Sequence, residues 1–332
     1  MSAIHSDHRG TYVVTYDVVS RLQSFRAKGF VVPLHDDLLF ERFHISLFQK
    51  IQQALPGIMI DTIEMNELRR KIWEQVDGRI TDHSQQAVLS TCFEIADLNP
   101  KSEGLLLNIN RLFNADGVMM GYGPRPGFHP LDKQLDELSE KIGSRSVVLI
   151  EDGAFTGGTI KFVLNELERR DVKVTAIIIG FCCNGSRTAI QEVFAGEIVM
   201  VHPIKDLIDW IPDHDLIPFS PNCGRVLGEV TQQGLMPIRT AEGFSCAYPY
   251  ILPFGRIEEW ASLPTEGARD LSRLCIDTNI EIYSRMGPRI TIRDLLSRNP
   301  TVSLPIGINA QGHLPALNMS IIAFLEQIRE KH

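Results

Sequence analysis

The chain lacks several features, and each absence removes a class of protein. None of its six cysteines, Cys92, Cys182, Cys183, Cys223, Cys246 and Cys275, forms a CxxC pair. A zinc ribbon and a disulfide scaffold are therefore unexpected, and free, mostly buried thiols in a reducing compartment are expected. No stretch reaches the roughly 20 apolar residues of a membrane span. The first residues, MSAIHSDHRG, lack the apolar run of a signal peptide, which points to the cytoplasm. Basic residues are outnumbered, 33 against 41 acidic, for a net charge of -8. A broad duplex nucleic-acid footprint is not expected from that balance, although a local basic pocket for a phosphorylated small molecule is compatible with it. There is no internal repeat and no low-complexity tract.

What is present is an ordinary globular composition, 44% hydrophobic and 22% charged over 332 residues. That length supports one elaborated α/β domain or two packed ones. Residues 1–100 read as mixed but mainly helical, with apolar residues at helical spacing over 40–55 and 65–76. Residues 101–256 alternate strands and helices: GVMMGY, a surface helix over 131–142, VVLIED, a helix over 159–170, VTAIIIGFCC, a helix over 188–194, then EIVMVH. This alternation predicts an α/β fold with a mostly parallel sheet flanked by helices. Residues 257–332 read as a helical C-terminal region. Open sheets of this kind bind ligands at the carboxyl ends of their strands. The loops GPRPG (123–127) and EDGAFTGG (151–158) are expected there.

The run VVLIEDGAFTGGTI, residues 147–160, carries the chemistry. Two adjacent carboxylates, Glu151 and Asp152, sit at the mouth of a buried strand. Their repulsion has to be offset, and ribose hydroxyls or a bound Mg²⁺ can do so. Thr156, Gly157, Gly158 and Thr159 then lead into a helix. Glycines let the backbone turn tightly, and the helix N-terminus offers free N–H groups to a phosphate. Three other readings compete. A purely structural Gly turn needs no acids. A P-loop needs lysine where Thr159 stands, and a dinucleotide site needs GxGxxG directly after the strand.

This segment resembles the signature of type I phosphoribosyltransferases: an apolar strand, an acidic pair, a spacer and TGGT. The spacer Gly153–Ala154–Phe155 departs from the usual aliphatic pattern. The resemblance implies that Glu151 and Asp152 hold the ribose hydroxyls of 5-phosphoribosyl diphosphate, directly or with Mg²⁺. It also implies that Ala154, Phe155, Thr156, Gly157, Gly158 and Thr159 hold the 5-phosphate. Gly123 and Arg125 occupy the place of the family's pyrophosphate loop, and Arg225 is a further candidate. Downstream, Lys205, Trp210, Asp213, Asp215 and Phe219 stand where the family builds its base pocket. A homodimer is usual for the family. Only one helix separates the GPRPG loop from the acidic strand, where catalytic members carry a long closing loop. Water exclusion is then expected from the N-terminal region or a second subunit. Two functions follow: phosphoribosyl transfer to a nitrogenous base with pyrophosphate release, or a non-catalytic sensor of a phosphoribosyl ligand. His35, Asp36 and His44 match no hydrolase spacing, and Cys182, Cys183 and Cys223 match no zinc pattern.

Overall fold

The apolar runs VVLIED and VTAIIIGFCC carry no polar alternation because both of their faces are covered. In the computed structural model, which describes residues 10–33, 38–80, 82–96, 104–308 and 314–331, they are the strands Ser146–Ala154 and Val174–Cys183. They form the centre of a five-stranded, wholly parallel sheet. Its order is Leu105–Leu106, Gln86–Ser90, Ser146–Ala154, Val174–Cys183, Glu197–Ile204. Successive side chains point to opposite faces. Leu149, Ile177 and Ile179 pack with the helices Leu131–Ile142 and Gly158–Glu168 on one side. Val148, Ile150 and Ile178 pack with the helix Met65–Asp77 on the other. The protein is thus α/β, with mostly parallel sheets flanked by helices.

The first hundred residues contribute strands as well as helices. Thr11–Tyr16 lies between Leu207–Pro212 and Met59–Glu64 in a second parallel sheet. Tyr12 and Val14 of its central strand enter a core shared with the helices Leu38–Ala54, Thr265–Met286 and Ile321–Glu330. The N- and C-terminal helical regions therefore pack on each other around this small sheet, a pairing with no local signature in the sequence.

The hairpin containing GPRPG differs from the sequence expectation. Its strand Met119–Pro124 runs antiparallel to Ile109–Phe113 in a separate mixed sheet, so the loop does not follow a parallel strand. The cause is local. Asn114 Oδ1 accepts the backbone N–H groups of Asp116 and Val118, and Gly117 takes φ +76°, which reverses the chain. The mixed sheet continues through Arg225–Thr231, Cys246–Tyr248 and Leu304–Pro305 and stands opposite the acidic strand, across a cavity.

All six cysteines are free, and only Cys183 is not fully buried. Its sulfur accepts the Ser186 N–H and so caps the helix Asn184–Gln191. Cys182 and Cys183 thus serve packing and capping.

The acidic strand is seated by close backbone contact. A Cβ at Gly180 would lie 2.3 Å from the Asp152 carbonyl oxygen, and one at Gly153 would lie 2.2 Å from the Phe181 ring. The unusual spacer glycine leaves room for Phe181, which in turn packs edge-on against Trp210 at 4.7 Å. Gly180→Ala has to push two paired strands apart and is expected to cost about 1–3 kcal/mol. Urea denaturation reads this as a lower midpoint with an unchanged slope. An unaltered midpoint would mean that the strands relax freely.

Candidate functional site

A cavity of about 470 Å³ lies between the carboxyl end of the acidic strand and the mixed sheet. Such a volume suits a small-molecule ligand. Its floor is the acidic pair. Asp152 is buried. Its Oδ1 accepts the Gly153 N–H at 2.8 Å, and its Oδ2 accepts the Cys92 thiol at 3.3 Å. Cys92 also reaches Glu94 Oε2 at 3.1 Å. Burial, then Asp152 and Glu94, push the thiol well above its ordinary range, so it stays a proton donor. Glu151 Oε2 is buried with no hydrogen-bond partner. Burial, reinforced by the adjacent Asp152, pushes the Glu151 carboxyl well above the usual carboxylate range. Burial and Glu94 raise Asp152 as well. The pair resists ionisation until a hydrogen-bond donor or a cation offsets its charge.

Under this floor runs a chain of buried charge that the sequence reading did not identify. Arg21 Nε lies 3.0 Å from Asp17 Oδ2 and 3.0 Å from Glu94 Oε1, and all three side chains are nearly inaccessible. Asp17 also lies 2.7 Å from His214 Nδ1, whose Nε2 is 3.3 Å from Asp215 Oδ1. Burial alone would raise Asp17, but His214 and Arg21 outweigh it and hold the carboxyl far below its ordinary range. Burial and Arg21 work against the charged form of His214. Asp17 and Asp215 prevail, so it is raised and favours the imidazolium. The only local trace in the sequence is the four-residue spacing of Asp17 and Arg21 on one helical turn. Glu94, His214 and Asp215 come from distant positions.

The loop after the acidic strand borders the same cavity. Ala154, Phe155, Thr156, Gly157, Gly158 and Thr159 all line it. Gly157 takes φ +72° and caps the helix Gly158–Glu168, and a Cβ there would strike Ile190 at 2.8 Å. Tyr122 hangs over the turn: a Cβ at Gly158 would lie 2.6 Å from its hydroxyl. The loop therefore offers first-turn N–H groups, two threonine hydroxyls and a tyrosine hydroxyl to whatever occupies it.

Arg125 faces the acidic pair from the mixed sheet. Its Nε donates to the Ile109 carbonyl at 3.1 Å and its Nη2 to the Thr91 carbonyl at 3.0 Å, while Nη1 is buried without a partner. A guanidinium fixed in this way, with one nitrogen unsatisfied, is preorganised for an anion. Trp210 and Asp215 line the cavity too.

Other candidates lie elsewhere. Gly123 is packed in the hairpin, where a Cβ would meet Leu112 at 2.3 Å. Lys205 is exposed in the turn between Glu197–Ile204 and Leu207–Pro212. Asp213 is fully buried. Its Oδ1 accepts the N–H groups of Asp17 and Val18 at the start of a helix, and its Oδ2 lies 2.8 Å from His44 Nε2. Phe219 is a core residue against Tyr283 and Phe324. None of these four lines the cavity. His35 and Asp36 lie outside the described residues. The far wall of the cavity is lined by Phe113 and Arg225 of the mixed sheet with Tyr250 and Trp260 beside them, and Asp17 and Arg21 of the N-terminal region line the cavity too.

Among the described residues, no group of three or more His, Cys, Asp or Glu side chains is arranged to hold a metal ion. No helix of the described residues is long and apolar enough to cross a membrane. No protein-family model matches the chain, and no curated protein shows significant similarity to it.

The buried charge chain has a pH signature. Asp17 is depressed in the folded state, so its stabilising contribution is present above its unfolded pKa, about 3.9, and is lost as pH falls below that value. Asp17→Asn should be less stable than the parent at neutral pH in guanidinium denaturation. The gap should narrow between about pH 4 and pH 2; a constant gap would contradict the assignment. Arg21→Met leaves the buried Glu94 without its cation and Asp17 with His214 alone, and is expected to cost about 3–5 kcal/mol at neutral pH.

Proposed function

We propose that the protein binds 5-phosphoribosyl diphosphate and transfers its phosphoribosyl group to a nitrogenous base, on a fold of the type I phosphoribosyltransferase kind. The observation that carries this reading is that three anion- or hydroxyl-binding features open onto one cavity. They are the Thr156–Thr159 turn, the Glu151–Asp152 pair and the unsatisfied Nη1 of Arg125. Phosphate, vicinal hydroxyls and diphosphate are the corresponding parts of the ligand.

In this reading the helix N-terminus and the Thr156 and Thr159 hydroxyls hold the 5-phosphate. Glu151 and Asp152 accept hydrogen bonds from the ribose hydroxyls and fix the ring. Arg125 takes the diphosphate. The bond from the anomeric carbon to the diphosphate oxygen breaks with its electron pair on the leaving group. The acceptor nitrogen forms the new bond to that carbon, and pyrophosphate departs. Positive charge develops on the sugar in between, and the acids below it stabilise that charge without acting as nucleophiles.

Glu151 and Asp152 are hard oxygen donors, and the orphaned Glu151 Oε2 fits a Mg²⁺ ion shared with ligand oxygens, though not an all-protein cage. When bound, Mg²⁺ would offset charge on the leaving diphosphate.

Two measurements test this. By calorimetry, Asp152→Asn and Arg125→Met should each weaken 5-phosphoribosyl diphosphate by about tenfold or more, as expected for losing a charge-assisted hydrogen bond. Unchanged affinity in both variants would sink the assignment. Pyrophosphate release with a panel of bases then separates transfer from sensing. Second, burial and the adjacent Asp152 raise the Glu151 carboxyl, and its ionised form accepts ribose hydroxyls most strongly. Binding should therefore release protons rather than take them up and should tighten as pH rises, visible as a buffer-dependent binding enthalpy. Proton uptake would contradict the role given to Glu151.

A further inference from the structure

The end of the cavity away from the phosphate turn contains a second cation, which forms no ion pair with a carboxylate among the described residues although Asp209 lies near it. Arg225 is stacked among three rings: its guanidinium carbon is 4.3 Å from the Trp260 centroid, 4.7 Å from Phe113 and 5.5 Å from Tyr250. Its Nη1 donates to the Gly117 carbonyl at 3.0 Å, and its Nε reaches the Tyr250 hydroxyl at 3.3 Å. Its Nη2 makes no hydrogen bond among the described residues. Aromatic faces fix the plane of a guanidinium without cancelling its charge.

The nearby acids are committed elsewhere. Asp209 accepts the Ser262 hydroxyl at 2.6 Å and the Trp210 N–H at 2.8 Å. Glu259 pairs with Arg256 at 3.3 Å. Asp215 accepts the Gly224 N–H at 2.6 Å and faces His214.

The strand Ile109–Phe113 gives the scale. Arg125 is tied to the Ile109 carbonyl at one end, and Arg225 lies over the Phe113 ring at the other. Four residues of strand rise roughly 13 Å. Arg111 stands between them on the same strand and lines the cavity without a hydrogen bond or ion pair among the described residues. In the proposed arrangement a diphosphate at Arg125 and an anion at Arg225 are therefore anchored at opposite ends of this strand. Trp210 and Trp260 also line the cavity and offer aromatic faces to a ring.

From this placement we infer that the acceptor is a heteroaromatic base bearing a carboxylate, which the planar fork of Arg225, assisted by Arg111, receives. The inference rests on the phosphoribosyl reading for the role of acceptor, but the anion site itself can be measured separately.

The test is calorimetry with pyridine-3-carboxylate and pyrimidine-4-carboxylate, each against its neutral carboxamide, with and without saturating 5-phosphoribosyl diphosphate. The carboxylates should bind about tenfold or more tighter than the carboxamides, the range of a charge-assisted pair. Arg225→Gln should erase that preference and leave the affinity for the sugar diphosphate within about threefold, a change below 1 kcal/mol. Arg225→Lys keeps the charge without the fork and should retain part of the preference, which guards against a folding defect in the glutamine variant. Equal binding of acids and amides, or no binding of either under both conditions, overturns the proposal. So does a tenfold loss of sugar-diphosphate affinity in Arg225→Gln, which would give Arg225 to the diphosphate. If the wild type shows the Arg225-dependent carboxylate preference but does not bind the sugar diphosphate, the anion site stands and the phosphoribosyl reading fails.

Discussion

Arg21 is the cation on which the arrangement beneath the cavity depends. Asp17, Glu94 and Asp152 are all buried in one small region, with Glu151 beside them. Removing so many carboxylates from water is affordable only with a fixed counter-charge. Arg21 supplies it to Asp17 and Glu94 directly, and Cys92 connects Glu94 to Asp152 by its thiol. The first described strand and helix are thereby locked to the acidic strand of the central sheet. The same lock sets the proton state of the acidic pair, because Glu94 is one of the charges that raise Asp152.

Charge is arranged differently on the two sides of the cavity. On the floor, carboxylates are crowded and their affinity for protons is raised. On the mixed-sheet side, Arg111, Arg125 and Arg225 are presented from a hairpin and its neighbour strand, and none of them forms an ion pair with a carboxylate among the described residues. Hydroxyl-bearing parts of a ligand are favoured on the floor and anionic parts at the arginines. Gly157 and Gly158 let the turn after the acidic strand approach Ile190 and Tyr122 more closely than any side chain would allow. The wall opposite the acidic strand is part of the folded body, made of strands and aromatic rings.

Several elements were legible in the sequence because their causes are local. The strands Ser146–Ala154 and Val174–Cys183 announce themselves as continuous apolar runs, and the helix Leu131–Ile142 by its leucine spacing. The turn at Gly157–Gly158 follows from the need for backbone freedom. Two short strands, Thr11–Tyr16 and Met59–Glu64, were hidden among helical segments, since a six-residue run has too few periods to be told from a loop. The hairpin at Asn114–Gly117 placed the GPRPG loop in a different sheet from the one expected. Asp213 and Phe219 read as pocket residues by position in the chain, yet a helix N-terminus claims the first and the core claims the second.

The sequence by itself determined the α/β class, the free cysteines and one strand–turn–helix with an acidic mouth, because each rests on neighbouring residues and on backbone sterics. The cavity was decided by tertiary structure alone. Its opposite wall is drawn from residues about 40 positions before and about 75–110 positions after Glu151, and its buried counter-charge from Arg21. Electrostatic compensation acts through space, and a chain records it only as isolated charged residues with no spacing to connect them.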